Sequence, residues 1–339
     1  MLKYRKNGEY RTPFQLIALL HLYFLVREEL LIMIQNVFFT LFHVLVPLAI
    51  PVIAGALLSK FKQLDIKPLL VLVLYYFTPV VIFDTLMNAE VSHQDIYLTF
   101  AFSLLNLLLL WGTANGLGKL LALSQNDIAG LTLISAFTNC VNYGIPLILL
   151  GFGQLGLDKA SVFIVLQMII VNTVGIYFAA RSHFSIKNAI KSVFSLPAIY
   201  AAILALLFRS FELPLPSGIA SGFSMIADAY SPIVLAILGA QMMNVKTEQL
   251  DRKTHTAYWL GMGMRLLIAP GIALICLSIL KIQGLLFSVL LILACMPVAV
   301  NAGILAAKFD ASPKIVTKSI LWTTLISFIV LPFLIVLVK

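Results

Sequence analysis

Charged residues are scarce in this sequence. Lys, Arg, Asp and Glu make up 11% of its 339 residues, whereas 61% are hydrophobic. This composition excludes an ordinary soluble domain, in which about a quarter of the residues are charged. Lys and Arg outnumber Asp and Glu by 23 to 14, but they cluster in short gaps between apolar runs, which indicates membrane topology. We therefore expect the lipid bilayer, and not nucleic acid, to be the main partner.

Cysteine and enzyme motifs are also scarce. The three cysteines lie within apolar runs and have neither CxxC nor zinc-finger spacing, so we expect no disulfide and no metal site. The HExxH and GxSxG motifs do not occur. The stretch GTANGLGKLL has one residue too many for a P-loop, and Leu120 occupies the Ser or Thr position. The sequence therefore predicts no enzyme and no cofactor.

Long hydrophobic runs make up most of the remaining sequence. Ten of them are long enough to cross a bilayer, and the brief connections leave no room for a soluble domain. The predicted spans are 36–58, 68–88, 96–120, 127–154, 157–180, 194–210, 218–243, 256–280, 284–308 and 314–338. Residues 1–35 contain an apolar stretch too short to span, so we interpret them as a leader or an interfacial segment, with Met33 as an alternative start of the chain.

Basic residues in the connections predict the orientation of the spans. Clusters follow spans one, five and seven, and short cytoplasmic loops are the ones enriched in Lys and Arg. We therefore place these loops in the cytoplasm and both ends of the ten-span core outside a cell membrane. The basic residues of the leader contradict this topology. The three clusters are Lys60, Lys62 and Lys67; Arg181, Lys187 and Lys191; and Lys246, Arg252 and Lys253.

The ten spans divide into two sets of five. Residues 36–181 form the first repeat, 182–193 a cytoplasmic linker and 194–339 the second repeat. Because five is an odd number, the second repeat must insert upside down relative to the first, as in the inverted repeats of secondary transporters. The predicted fold class is therefore an all-α membrane protein with a 5+5 inverted repeat.

Two spans are interrupted at their middle. In span four, Gly144 and Pro146 loosen the helical hydrogen bonds, and in span nine Pro297 does so. Non-helical backbone at membrane depth is tolerated where it is buried in protein or lines a cavity. Corresponding broken helices in two halves are a sequence pointer to a transporter's substrate site. We expect the two interrupted helices to cross there.

The interruptions offer groups that bind anions. Half-helices that start near Pro146 and just beyond Pro297 would direct free backbone N–H groups and positive dipole ends inward. Side chains next to them add neutral donors and acceptors. Neither break contains an acidic residue, so a carboxylate fits better than a cation. The alternative is that the asparagines only satisfy the broken backbone. The predicted substrate-binding residues are Thr138, Asn139, Asn142 and Asn301.

Other polar residues lie within the spans. Asp228 and Arg265 have similar predicted depths on consecutive spans, so we expect them to form a pair that is either structural or part of ion coupling. Asp84 lies near an outer end and is interpreted as interfacial. Gly112 and Gly116 form a GxxxG packing motif. Three amides could either line a cavity or bond helices together: Gln167, Asn172 and Gln241.

Four stretches of this sequence resemble the auxin efflux carrier family. They are NCVNYGIPLILLGFGQLG from Asn139 to Gly156, VLQ at 165–167, SPIVLAILGAQM from Ser231 to Met242 and MPVAVNAGILAAKFDASP from Met296 to Pro313. Arg265 with Pro270 matches the family pattern as well. The resemblance covers roughly residues 36–338.

The resemblance implies ten helices, two of them broken and crossing, a scaffold half, a mobile transport half and elevator-like alternating access. In PIN-type plant members the asparagine that opens the fourth-span motif contacts the substrate carboxylate, and it corresponds to Asn139. The crossover proline corresponds to Pro297. The chain lacks the long central loop of many plant members and so resembles the short bacterial members described as malate or malonate permeases.

Together these features predict a secondary transporter for a small organic anion. Two alternatives stay open: a sodium-coupled symporter of the bile acid symporter type, and a membrane receptor that uses the same fold to bind without transport. A homodimer is an open alternative to a monomer.

Overall fold

The computed structural model describes residues 41–180, 186–243 and 252–338, with scattered residues between 5 and 39. Most of the predicted leader, Met33 included, lies outside the described residues. So do residue 181, residues 182–185 of the predicted linker and the connection 244–251.

Almost all of the described chain is helical. A two-residue antiparallel ladder pairs β1, Arg5–Lys6, with β2, Glu9–Tyr10. The helices are α1, Phe42–Lys62; α2, Ile66–Asn88; α3, His93–Leu120; α4, Gln125–Ala136; α5, Cys140–Ala180; α6, Ile186–Phe194; α7, Pro197–Ser210; α8, Ser217–Met243; α9, Thr254–Ile279; α10, Gly284–Ala294; α11, Val300–Phe309; and α12, Pro313–Val338.

Local sequence accounts for several helix starts. Ser92 and Asp95 form a reciprocal capping box at the start of α3, which satisfies two backbone donors that have no partner within the helix. The hydroxyl of Ser124 accepts from the backbone N–H of Asp127 at the start of α4. Pro197 and Pro313 open α7 and α12, at positions where the missing N–H costs nothing.

Seven of the described helices are long and apolar enough to cross a membrane: α1, α2, α3, α5, α8, α9 and α12. Their large apolar side chains include many that are exposed, such as Phe42 and Leu267, as expected for helices surrounded by lipid. Helix α5 has 41 residues and contains one non-helical residue, Gly153, with φ 68° and ψ −166°. Glycine reaches this conformation without a steric penalty, so α5 bends at Gly153.

The spanning helices pack as two groups, and each group draws on both halves of the chain. The first helix group contains α1, α2, α7 and α8. The second helix group contains α3, α4, α5, α9, α10, α11 and α12.

Glycine allows α1 and α8 to pack backbone against backbone. A Cβ added to Gly55 would lie 1.8 Å from the carbonyl oxygen of Ala236, and one added to Gly239 would lie 1.8 Å from that of Val52. By contrast, a Cβ at Gly112 or Gly116 would meet no described atom within 4 Å. The close packing predicted at Gly112 and Gly116 is therefore absent from this structure, because those glycines face open space.

Two short non-helical segments of the second group pair with each other. One separates α4 from α5 and the other separates α10 from α11. Thr138 and Val298 form an antiparallel bridge. In it, the Asn139 N–H donates to the Pro297 carbonyl at 2.8 Å, and the Ala299 N–H donates to the Phe137 carbonyl at 3.0 Å. We call this region, residues 137–139 and 295–299, the crossover.

The helix after the first segment starts earlier than predicted. It begins at Cys140 and not near Pro146. Its first turn, Cys140–Gly144, is a π-helix, and the wider turn lets the helix continue through Pro146, which lacks an N–H. Gly144 serves packing, because a Cβ there would lie 3.0 Å from the Leu293 side chain.

Candidate functional site

A cavity of about 240 Å³ lies between the two helix groups. The second group provides one wall from the crossover, from the first turns of α5 and α11, and from the middle of α5. The first group provides the facing wall, mainly from α2 and the end of α8. The facing wall is largely apolar and includes Leu70, Val73, Leu74, Thr78 and Gln241.

The predicted substrate-binding residues all line this one cavity. Thr138 and Asn139 come from the crossover, and Asn142 and Asn301 come from the first turns of α5 and α11. Thr138 and Asn139 are buried, whereas Asn301 is exposed to the cavity. The predicted helix-break residues Gly144, Pro146 and Pro297 lie outside the lining, where they shape the backbone behind it.

Each wall carries a buried amide atom that has no hydrogen-bond partner among the described residues. On the crossover wall it is Nδ2 of Asn139, a residue that is only 4% exposed. On the facing wall it is Oε1 of Gln241. An unsatisfied buried polar group costs about 1–3 kcal/mol, and such groups in native proteins call for an explanation. Both residues line the cavity, which is where a partner for either amide could bind.

The backbone gives the crossover wall a positive character. The first N–H groups of a helix have no partner within it and carry the positive end of the helix dipole. The first turns of both α5 and α11 line the cavity, through Cys140, Val141, Asn142, Val300 and Asn301. No acidic or basic side chain is found among the described lining residues. Two helix N-termini with neutral amides form an arrangement suited to an anion.

Two further amides support the lining. The Gln167 side chain donates to the Ala136 carbonyl at 3.3 Å, and Asn172 donates to the Met168 carbonyl at 2.9 Å. Both residues line the cavity and also satisfy backbone. For Gln167, the two uses that the sequence left open, cavity lining and a hydrogen bond between helices, therefore occur together. Asn172 lines the cavity and bonds within its own helix.

The predicted pair between Asp228 and Arg265 is not formed. Arg265 is 1% exposed and donates from Nη1 to the Ser135 carbonyl at 2.8 Å and from Nη2 to the Ala294 carbonyl. Asp228 is exposed on α8. The prediction placed consecutive spans side by side, but α8 belongs to the first helix group and α9 to the second.

Of the facing wall, the sequence indicated Gln241 alone. The part of α2 that lines the cavity, between Leu70 and Thr78, belongs to an apolar run with no motif. Tyr230 of α8 was also missed. Its hydroxyl lies 3.5 Å from the Val141 carbonyl and links the first helix group to the first turn of α5. Further indications were the hydroxyl groups of Tyr230 and Thr78 within these apolar spans.

Comparison with known proteins identifies the family. The family model described as "Membrane transport protein" matches residues 36–335. The chain belongs to this family. The predicted family resemblance is thereby confirmed, and with its apolar helices the chain is a multi-pass membrane transport protein.

Two archaeal relatives are described as uncharacterized transporters. One, from Methanothermobacter thermautotrophicus, is 26% identical over 262 residues, which cover 75% of this chain and 83% of the relative. The other, from Methanocaldococcus jannaschii, is 27% identical over 227 residues, which cover 63% of this chain and 70% of the relative. Family and relatives agree on transport and name no substrate.

Proposed function

We propose that this protein is a secondary active transporter that carries a small organic anion across the cell membrane. The observation that carries the proposal is the convergence of two helix N-termini and the free amide of Asn139 on one cavity. The substrate carboxylate binds at this wall of the cavity. Because neutral donors hold it, the anion is desolvated without a fixed counter-charge in contact with it.

The helix lengths support ten spans. A 41-residue helix is about 60 Å long, roughly twice the hydrocarbon core of a bilayer. Division of α5 at Gly153 gives two spans, of which the first joins α4 across the crossover. Likewise α10 and α11 join into one span, and α7 is a short span. Each half then has five spans with the fourth interrupted, which is the arrangement of an inverted repeat.

The two helix groups support elevator-like access. In this ten-span topology the first helix group consists of the first two spans of each half, and the second helix group consists of the last three. The cavity lies between them. Movement of the second group against the first would carry the crossover and its anion across the membrane, with the first group acting as the fixed scaffold.

The cavity faces the cytoplasm in the proposed topology. Among its lining residues, Leu70 lies near the start of α2, Leu196 directly before the start of α7 and Gln241 near the end of α8. The loop with Lys60, Lys62 and Lys67 adjoins the first of these helix ends. An excess of Lys and Arg marks the cytoplasmic side, which supports the assignment of this cavity to an inward-facing state.

The facing wall favours one kind of organic anion. It has two buried oxygen atoms without a hydrogen-bond partner among the described residues, Oε1 of Gln241 and Oγ1 of Thr78, among apolar neighbours such as Leu70, Val73 and Leu74. A second carboxylate would be desolvated there without a basic side chain or a helix N-terminus to offset its charge, which is costly. The preferred substrate therefore has one carboxylate, an apolar body and few further hydrogen-bonding groups, so an acid such as indole acetate fits better than malate or malonate.

Uptake by proteoliposomes tests the proposal. The purified protein is reconstituted, and uptake of labelled indole acetate, malate and malonate is measured with a proton gradient, a sodium gradient or neither. Uptake above that of empty liposomes is expected, with the monocarboxylate ahead. Dependence on sodium would favour the sodium-coupled symporter, whereas saturable binding of an acid without uptake would favour the receptor. If no organic acid is bound or transported, the proposed substrate class is wrong.

A further inference from the structure

Arg265 lies behind the crossover, away from the cavity. It does not line the cavity, but lines a narrow space of about 10 Å³ with Cys295, Met296 and Pro297. The same space is lined by Thr323 and Ser327 of α12. No acidic side chain is among the described residues around it, so the guanidinium is buried without a carboxylate partner.

The two carbonyl groups that Arg265 contacts belong to helix ends. Ser135 is in the last turn of α4, and Ala294 is the last residue of α10. The last carbonyl groups of a helix lack partners within it and carry its negative dipole end. Arginine is always protonated in proteins, and its planar fork can donate to two acceptors at once. Arg265 therefore replaces a carboxylate partner with two helix C-termini.

We propose that Arg265 is a positioning residue that makes the crossover selective for anions without touching the substrate. Four half-helix ends meet at the crossover, two positive and two negative, and their partial charges of about half an elementary charge cancel overall. The charge of Arg265 removes this balance. It offsets the two C-termini of α4 and α10, so that the N-termini of α5 and α11 act on the cavity unopposed.

This inference rests on the proposed function for its biological meaning, but its physical claim concerns the potential in the cavity. That potential can be measured without a substrate. Asn301 is exposed and lies in the first turn of α11, so Asn301→Cys places a reactive thiol there. The native cysteines are first replaced by alanine, and this background without Asn301→Cys is the control for labelling elsewhere.

The measured quantity is the ratio of two modification rates at this thiol. The two reagents are the anionic sulfonatoethyl and the cationic trimethylammonioethyl methanethiosulfonate. Adding Arg265→Gln or Arg265→Met should lower the anion-to-cation ratio at least about tenfold, as expected for one charge acting across roughly 10 Å at an effective dielectric constant of about 20. Arg265→Lys, which keeps the charge and loses the fork, should retain a ratio within about threefold of the parent.

The Lys variant makes the test independent of whether the neutral variants fold. A ratio that falls tenfold or more in folded Arg265→Lys would show that Arg265 acts only through its hydrogen bonds, and would overturn the proposal. An unchanged ratio in folded Arg265→Gln or Arg265→Met would overturn it as well. Because no substrate enters the measurement, failure here leaves the proposed transport standing, and failure of the uptake experiment leaves this measurement unaffected.

Discussion

Two of the close backbone contacts among the described residues differ in chemistry. Between α1 and α8, Gly55 and Gly239 bring helices together by leaving out side chains. At the crossover, backbone groups pair with each other and with Arg265, while the helix N-termini and the Asn139 amide stay free for the cavity. The first contact is suited to a rigid scaffold. The second is suited to binding, because its N-terminal backbone N–H groups and the Asn139 amide have no partner within the described part of the chain and can bind a ligand.

The largest effect is expected from breaking the glycine contact. In Gly239→Ala the new methyl group would lie 1.8 Å from the Val52 carbonyl oxygen. Because the methyl group and the carbonyl oxygen are both attached directly to the backbone, neither can rotate away, and the helices must separate. We expect a loss of at least about 3 kcal/mol in the free energy of unfolding, measured by thermal unfolding in detergent. The matched control is Gly112→Ala, where the methyl group meets no described atom within 4 Å. Equal stability of the two variants would contradict the packing described for α1 and α8.

The next largest effect is expected at the crossover wall. Asn139→Ala removes the free Nδ2 donor, and a hydrogen bond to a charged group contributes about 1.5–3 kcal/mol. Affinity for the transported acid should therefore fall about 10- to 100-fold, as measured by inhibition of labelled uptake. Asn115→Ala serves as the control, since Asn115 bonds the Trp111 carbonyl on α3 outside the cavity. Wild-type affinity in well-folded Asn139→Ala would remove this residue from the site.

A smaller effect is expected at the facing wall. Gln241→Leu removes the unpartnered Oε1, so binding should weaken by about 1 kcal/mol or roughly fivefold, while unfolding stability stays equal or rises. Uptake kinetics and thermal unfolding of the same preparation provide both numbers. A loss of stability with unchanged affinity would mean that this amide is structural.

The smallest effect is expected at Asp228. Because this side chain is exposed and does not contact Arg265, Asp228→Asn should change unfolding stability by less than about 0.5 kcal/mol. The double swap of Asp228→Arg with Arg265→Asp should not rescue Arg265→Asp. Rescue in the unfolding assay would revive the pair that the sequence predicted.

Part of the site was accessible from sequence because its signal is local. Asparagines and prolines inside hydrophobic runs stand out, so Thr138, Asn139, Asn142 and Asn301 could be named before the cavity was known. The start of α5 could not be predicted from the sequence, because it depends on a π-helical turn that lets the helix continue through Pro146. Here geometry, and not composition, decides where the free N–H groups lie.

Contacts between distant spans could not be predicted from the sequence. The partner of Arg265 was misjudged because consecutive spans fall into different helix groups. The GxxxG motif drew attention to Gly112 and Gly116, whereas the closest packing uses Gly55 and Gly239, single glycines that become important only because they face each other's helices. A small residue signals close packing only when the facing helix is known.

The central claim is that an organic anion binds in the cavity beside the crossover, and substrate protection tests it most directly. The rate of modification of Asn301→Cys is measured in proteoliposomes with and without a saturating concentration of the transported acid. The acid should slow modification, and modification should block uptake. If a saturating acid leaves the rate unchanged and the modified protein still transports, then the anion does not bind in this cavity.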